Sequence, residues 1–124
     1  MNLAPKDAAI AFLTLASSGQ VREAYARHVG PGFRHHNPHF RGDAESLAAA
    51  MAKNAAENPD KMFEVKHVLQ EGDFVAVHGR VRLRPEAGDV ALFHLFRFEN
   101  GRIVELWDIG QPAPADSPNE HGMF

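Results

Sequence analysis

A change of hydrophobic period near residue 60 is the feature that most constrains this fold. Before it, apolar residues recur at helical spacing in three segments, which run over residues 5–17, 21–29 and 44–57. After it, apolar and polar residues alternate at strand spacing over residues 62–69, 74–83, 89–98 and 102–109. Helices followed by antiparallel strands predict an α+β domain, in which a curved sheet packs over helices on one face.

The predicted helices have recognisable ends. Pro5 suits the first turn of a helix, and Asp43 is placed to cap the third helix. Gly30-Pro31-Gly32 is expected to end the second helix, and Phe33–His36 to form a short extended piece before the third. Asn100-Gly101 is the strongest hairpin signal of the chain and predicts a tight turn between the last two strands.

Length and charge limit the classes of protein to consider. The 124 residues predict one domain, 1–124, with a tail from about residue 110, and 44% apolar residues can form its core. A formal net charge of −3 removes the main motive for binding nucleic acid or an anionic membrane. No run of about 18 apolar residues predicts a membrane helix, and a cytoplasmic location is the default expectation. The absence of cysteine excludes disulfides, a thiolate nucleophile and Cys-based metal sites.

Eight histidines are many for this length, and four of them, His28, His35, His36 and His39, lie within twelve residues. Imidazoles are common metal ligands, but neighbouring histidines on an extended piece point apart and no His-x-His spacing is present. A zinc site would need His36, His39, His94 and Asp108 to converge, so no metal is predicted. The remaining histidines are expected on the solvated surface; these are His28, His35, His39, His67 and His121.

The last two strands carry the strongest candidates for chemistry. Alternation places His94 on a face with Leu92, Phe96 and Phe98, and Asp108 on a face with Val104 and Leu106, opposite to Ile103. A two-residue turn alone would pair His94 with Trp107. One added bulge residue would bring His94 opposite Asp108 instead, as the apolar stripes favour.

Such a carboxylate and imidazole suit general acid–base catalysis, since one group can take a proton while the other gives one. The structural alternative is that Asp108 ends its strand and caps backbone amides of the tail, with His94 as a satisfied core histidine. Alternation alone leaves both interpretations open. By alternation, His78 belongs to the polar side of its strand, which suits the polar face of the sheet or a dimer contact better than the cavity.

Several motifs in order resemble the SnoaL-like proteins, the polyketide-cyclase-like branch of the nuclear-transport-factor-2-like superfamily. These motifs are His36-Asn37-Pro38 with Gly42, the segment EGDFVAVH at 71–78, the segment FRFENGRIVELWDI at 96–109, and Gln111-Pro112. The resemblance implies a cone-shaped, curved mixed sheet wrapped over three helices, an internal apolar pocket and a homodimer through the sheet. In the enzymes of this branch it also implies cofactor-free acid–base chemistry, such as aldol ring closure.

By this resemblance Asp108 takes the acid–base role, with His94 and His36 as further catalytic candidates. Two positions depart from the family pattern, because members often have Asp where His94 stands and His where Leu106 stands. Substrate-binding residues are expected at Asn37, Tyr25, Phe12, Phe96, Leu106 and His78.

The leading hypothesis is a cofactor-free cyclase, isomerase or lyase that acts on a small apolar carbonyl compound. The alternative is a module of the same fold that binds a small hydrophobic ligand or dimerises without catalysis.

Overall fold

The computed structural model describes residues 3–124 and confirms the α+β class. Three helices, α1 (Pro5–Ser17), α2 (Val21–His28) and α3 (Ala44–Glu57), precede most of the sheet, with β1 (Val29–His35) inserted between α2 and α3. The other strands are β2 (Met62–Glu71), β3 (Phe74–Arg82), β4 (Val90–Glu99) and β5 (Arg102–Pro112). The strand order is β1-β5-β4-β3-β2, with β1 parallel to β5 and the other pairs antiparallel, so the sheet is mixed and open.

Local sequence signals explain several of these boundaries. Pro5 begins α1, and the Asp43 carboxylate accepts a hydrogen bond of 2.9 Å from the Ser46 backbone N–H at the start of α3. Asn100 and Gly101 have φ angles of 51° and 78°, the left-handed conformation that a two-residue hairpin turn requires. The predicted hairpin is therefore confirmed, with Glu99 paired to Arg102 across the turn.

The second helix ends one residue earlier than predicted, and Gly30-Pro31-Gly32 lies inside β1 rather than in a loop. The pairing of β1 with β5 is irregular between Val29 and Arg34. A Cβ added at Gly30 would lie only 3.0 Å from the Arg102 Cβ, so glycine allows the two backbones to approach here. Proline is tolerated in this segment because β1 is an edge strand of the sheet.

The core lies between the helices and the inner face of the sheet. Its largest fully buried side chains are Phe12, Phe96, Ile103, Leu106, Val75 and Val77. The rings of Phe12 and Phe96 meet edge to face at 6.0 Å, so α1 packs directly on β4. Burial of this apolar surface is what holds the helices against the sheet.

A bulge near the start of β5 determines which residues of β4 and β5 face each other. Phe98 pairs with Ile103 but Arg97 pairs with Glu105, which leaves Val104 without a partner on β4. Ile103 therefore belongs to the inner face and the core, so the predicted assignment of Val104 to that face and Ile103 to the other is wrong. Beyond the bulge, His94 and Asp108 are directly opposite, as the bulged register predicts.

Candidate active site

An apolar cavity of about 240 Å³ lies between the helices and one end of the sheet. Most of its lining is hydrocarbon, and His94, Lys61 and Asn54 are its nitrogen-bearing side chains. We call this cavity the inner pocket. Its lining residues are Leu13, Ala16, Ser17, Met51, Asn54, Lys61, Phe63, Val81, Leu83, Val90, Leu92 and His94.

His94 is a buried imidazole at the wall of the inner pocket. Its ring packs on that of Phe96 at 6.0 Å, and within residues 3–124 its Nδ1 atom has no hydrogen-bond partner. Burial lowers the pKa of His94 to about 4, against the opposing effect of the Asp108 charge. The side chain is therefore neutral at pH 7 and has one ring nitrogen that no group of the described chain satisfies.

Asp108 is a half-buried carboxylate on the neighbouring strand. Its Oδ2 accepts a hydrogen bond of 3.1 Å from the Asn37 side-chain amide, and Asn37 is itself oriented by a bond of 3.0 Å from the His39 backbone N–H. No lysine or arginine of the described chain forms an ion pair with Asp108. Since β5 continues to Pro112, Asp108 does not end the strand, and this part of the structural alternative is wrong.

Asp108 borders a second depression, which we call the rim pocket, of about 430 Å³. It is lined by His36, Asn37, Pro38, His39, Leu92, Asp108, Ile109 and Gly110. Leu92 belongs to the lining of both pockets and packs tightly over Gly110. His94 and Asp108 are thus cross-strand neighbours whose side chains border two adjoining cavities with Leu92 between them.

His36 is held at the rim by an ion-pair cluster on the outer face of the sheet. Its Nε2 lies 2.6 Å from Oε2 of Glu105, and its ring stacks on Trp107 at 4.8 Å. Arg34 and Arg97 also bond the Glu105 carboxylate, each at 3.0 Å. Arg34 first, then His36 and Arg97, lower the pKa of Glu105 to about 2 against the effect of burial. Glu105 therefore remains ionised and fixes the orientation of His36.

The structure places the other predicted substrate-binding residues in different environments. Phe12, Phe96 and Leu106 are fully buried in the core rather than on the inner-pocket wall. Tyr25 packs against Phe12, and its hydroxyl donates a hydrogen bond to Met51 Sδ at 3.4 Å. Burial and the Asp108 charge raise the pKa of Tyr25, so its hydroxyl stays protonated.

His78 lies on the outer face of the sheet and not on either pocket described above. Its ring stacks on Phe93 at 4.7 Å and on His67 at 5.2 Å. The alternation along β3 already favours this side for His78, and its role in substrate binding stays a prediction.

Two of the histidines expected on the surface are buried. His35 bonds the Arg41 carbonyl oxygen through Nε2 and accepts a hydrogen bond from the Asn37 backbone N–H at Nδ1, which fixes the loop after β1. His28 is buried at the end of α2, and burial lowers its pKa. Sequence reasoning missed the burial of His35 because its place opposite Leu106 of β5 depends on a segment far along the chain.

Lys61 and Asn54 are site residues that the sequence analysis missed. Lys61 immediately precedes β2, and its Nζ donates a hydrogen bond of 2.6 Å to Asn54 Oδ1 on α3. The only sequence signal is a polar pair on either side of the turn that joins the helices to the sheet. Within residues 3–124, no three His, Asp or Glu side chains are arranged to hold a metal ion.

The SnoaL-like domain model matches residues 9–106 of the chain. The chain belongs to the SnoaL-like family. The match includes His36, Asn37 and His94, whereas Asp108 lies two residues beyond it. The predicted resemblance is therefore confirmed at the level of the family, and the similar solved structures support a small-molecule-processing family with the nuclear-transport-factor-2-like fold.

Solved structures agree with this membership. Wild-type IdmH from Streptomyces antibioticus, a candidate polyketide cyclase, is 25% identical, with a TM-score of 0.70 over 88% of this chain and 93% of that chain. A candidate SnoaL-like polyketide cyclase from Jannaschia sp. CCS1 is 21% identical, with a TM-score of 0.66 over 90% of this chain and 91% of that chain. An NTF2-like protein of unknown function from Cytophaga hutchinsonii is 18% identical, with a TM-score of 0.72 over 90% and 93%.

The search of curated proteins found no significant match to this SnoaL-like domain. No helix among residues 3–124 is both long and apolar enough to cross a membrane.

Proposed function

We propose that this SnoaL-like domain is a cofactor-free acid–base enzyme, a cyclase, isomerase or lyase, that acts on a small apolar carbonyl compound. The observation that carries the proposal is the cross-strand pair of His94 and Asp108 beside an apolar cavity. The likeness to IdmH supports the same class of chemistry.

Asp108 is the proposed base. Asn37 bonds one oxygen of its carboxylate, so the other oxygen is the one that would take a proton from the carbon next to a carbonyl group. The electron pair of the broken C–H bond moves onto the carbonyl oxygen, which becomes an enolate. The enolate then either attacks a second carbonyl carbon in the same molecule, and the alkoxide that forms takes the proton back from Asp108, or it regains that proton at another carbon.

His94 is the proposed donor to the developing enolate oxygen. A neutral imidazole carries one N–H group, and in a dry pocket a hydrogen bond to developing charge is stronger than in water. Leu92 borders both cavities, so a substrate must lie against it to reach both groups. His36, which Glu105 orients at the rim, is proposed as a second polar contact for the substrate.

Deuterium exchange at the α-carbon of 4-phenyl-2-butanone, followed by NMR in D₂O, tests the proposal without knowledge of the natural substrate. We expect the protein to accelerate exchange above the buffer rate and Asp108→Asn to reduce the acceleration by about 100-fold or more. Asp116→Asn, which removes an exposed carboxylate of the tail, is the matched control and should exchange like the unaltered protein.

Exchange at the buffer rate, or equal exchange by the Asp108→Asn variant, would contradict the proposed chemistry. Saturable binding of the ketone without exchange would favour the alternative, a ligand-binding module. The apolar lining of the inner pocket is the observation that supports this alternative.

A homodimer through the outer face of the sheet is a second part of the proposal. Phe93, Ile109 and Leu69 are 51%, 75% and 65% exposed on this side of the domain, an apolar surface of the kind that marks interfaces. Phe124 of the tail stacks on His78 and so covers one part of this apolar surface.

Sedimentation velocity tests the dimer. Phe93→Glu is expected to yield monomers, whereas Phe40→Glu, in the exposed loop after β1, should leave the dimer intact. A monomer for the unaltered protein would exclude this interface.

A further inference from the structure

Lys61 is a partly buried cation without an anionic partner. Its Nζ bonds only the neutral Asn54 amide oxygen, and no carboxylate in residues 3–124 lies within ion-pair distance of it. Other partly buried cations of the domain are compensated, since Arg82 pairs with Asp89 and Arg97 pairs with Glu105. Burial lowers the pKa of Lys61, because the folded chain solvates its charge less well than water does.

Lys61 belongs to the lining of the inner pocket. The surrounding side chains are mainly hydrocarbon, such as Leu13, Met51 and Phe63. Its charge is close enough to His94 to lower the pKa of that imidazole, and both residues line the same pocket. His94 also has an unpartnered nitrogen and is more than nine-tenths buried. The uncompensated charge of Lys61 in this apolar lining indicates a bound molecule with an apolar body and one anionic end.

We propose that the inner pocket binds a small apolar carboxylic acid, whose carboxylate pairs with Lys61 and whose hydrocarbon body lies along the pocket wall toward His94. This inference rests on the proposed function, because it names the substrate class as apolar acids that also carry a carbonyl group. The carboxylate of the ligand supplies the anionic partner of Lys61 that no acidic side chain of the described chain provides.

The volume of the inner pocket and its single ammonium group further restrict the class of ligand. A volume of about 240 Å³ is below the usual range for drug-sized ligands, which begins near roughly 300 Å³, so it suits one ring or a short chain rather than fused rings. A single ammonium group assisted by a neutral amide matches a monoanion better than a phosphate, which usually takes more donors.

Calorimetric titration of the full chain with two matched probes tests the inference. The probes are 4-ethylbenzoate and the neutral 4-ethylbenzyl alcohol, which share the apolar body and differ in charge. We expect the carboxylate to bind about tenfold more tightly than the alcohol or better, since charge-assisted hydrogen bonds out of water contribute that much. Lys61→Met, which keeps most of the apolar stem, should abolish this preference and leave alcohol binding within about twofold.

Lys53→Met is the matched control, because it removes the same charge from the exposed side of α3 next to Asn54. It should leave both affinities unchanged. Equal affinity for the two probes, retention of the preference by Lys61→Met, loss of it by Lys53→Met, or no binding of either probe would overturn the inference.

The Asp108→Asn variant separates this inference from the proposed function. It is expected to bind 4-ethylbenzoate as tightly as the unaltered protein while it loses α-carbon exchange. Carboxylate binding without any exchange in the unaltered protein would refute the chemistry and leave the ligand class intact. Exchange on ketones with no preference for the carboxylate would support the chemistry and refute the proposed ligand class.

Discussion

Glu105 on the outer face of the sheet and His94 on its inner face are equally buried but differently satisfied. Glu105 is 5% exposed and its carboxylate has three partners, Arg34, Arg97 and His36. His94 is 8% exposed, and its Nδ1 atom has no hydrogen-bond partner within residues 3–124. Buried polar groups are normally hydrogen-bonded, and each exception asks for an explanation. The outer cluster satisfies its buried carboxylate and orients His36, whereas the imidazole beside the inner pocket keeps one nitrogen without a partner in the described chain.

The two groups also respond differently to acid. The cations around Glu105 lower its pKa to about 2, because they favour the charged carboxylate. Desolvation lowers the pKa of His94 to about 4, because it disfavours the charged imidazole. Both shifts make the native state less stable in acid, but in separate pH ranges.

The largest expected effect is the acid response of His94. The unfolded chain protonates this imidazole below about pH 6.5, whereas the folded chain resists down to about pH 4, so stability falls over that interval. The loss amounts to about 3 kcal/mol if the full pKa difference is expressed. Urea denaturation at several pH values should show a shallower decline for His94→Leu than for the unaltered protein.

His28 contributes to the same decline, since burial lowers its pKa as well. His121→Leu, at an exposed site of the tail, is the control for removal of an imidazole and should keep the original slope. Equal slopes for His94→Leu and the unaltered protein would mean that His94 is not held neutral by burial.

The second prediction concerns Glu105. Glu105→Gln keeps the shape of the side chain but leaves Arg34, Arg97 and His36 facing one another without the charge that holds them. Arg34 is 64% exposed at its side chain, so water screens part of this cost, and we expect a loss of about 2 kcal/mol at pH 7.

Chemical denaturation measures this loss, and Glu99→Gln is its control. Glu99 also pairs with Arg97 but is 62% exposed at its side chain, so its loss should be below about 0.5 kcal/mol. In addition, Glu105→Gln should lose stability between pH 4.5 and about 2 less steeply, because a depressed carboxyl pKa contributes stability that acid removes in that range. Equal stability of the two variants would show that the cluster is screened like a surface ion pair.

The smallest expected effect is a gain in stability rather than a loss. His94→Leu at pH 8 removes a buried nitrogen that lacks a partner, and leucine fills a similar volume among Phe96 and Leu92. We expect a gain of about 1 kcal/mol, together with loss of the proposed exchange activity. Thermal denaturation beside the exchange assay measures both, and a clear loss of stability would mean that the imidazole serves the core rather than a ligand.

Local signals made much of the fold predictable from the sequence. Helical spacing located α1 and α3, Asp43 marked a helix start, and Asn100-Gly101 fixed the last hairpin. The β1 strand was harder to predict, because its glycines and proline favour a loop locally and only pairing with β5 makes them a strand. The faces of Ile103 and Val104 were also assigned wrongly, since strict alternation does not include the bulge that exchanges them.

The candidate site was also only partly predictable from the sequence. Sequence alternation and the two-residue turn sufficed to bring His94 and Asp108 together once one bulge residue was allowed. Lys61 could not be found in this way. A lysine in a turn is ordinarily solvated, and only the packing of α3 against the sheet makes its charge partly buried and unpaired.

Taken alone, the sequence determined most of the residues that share a strand face, the turn of the last hairpin, and that no thiolate can take part in catalysis. These properties depend on the period of the backbone and on residue type, which act over a few neighbours. The tertiary structure decided which polar groups are satisfied, with Glu105 surrounded by cations and His94 and Lys61 left beside an apolar cavity. Burial and charge compensation depend on segments far apart in the chain, so only the packed fold could decide them.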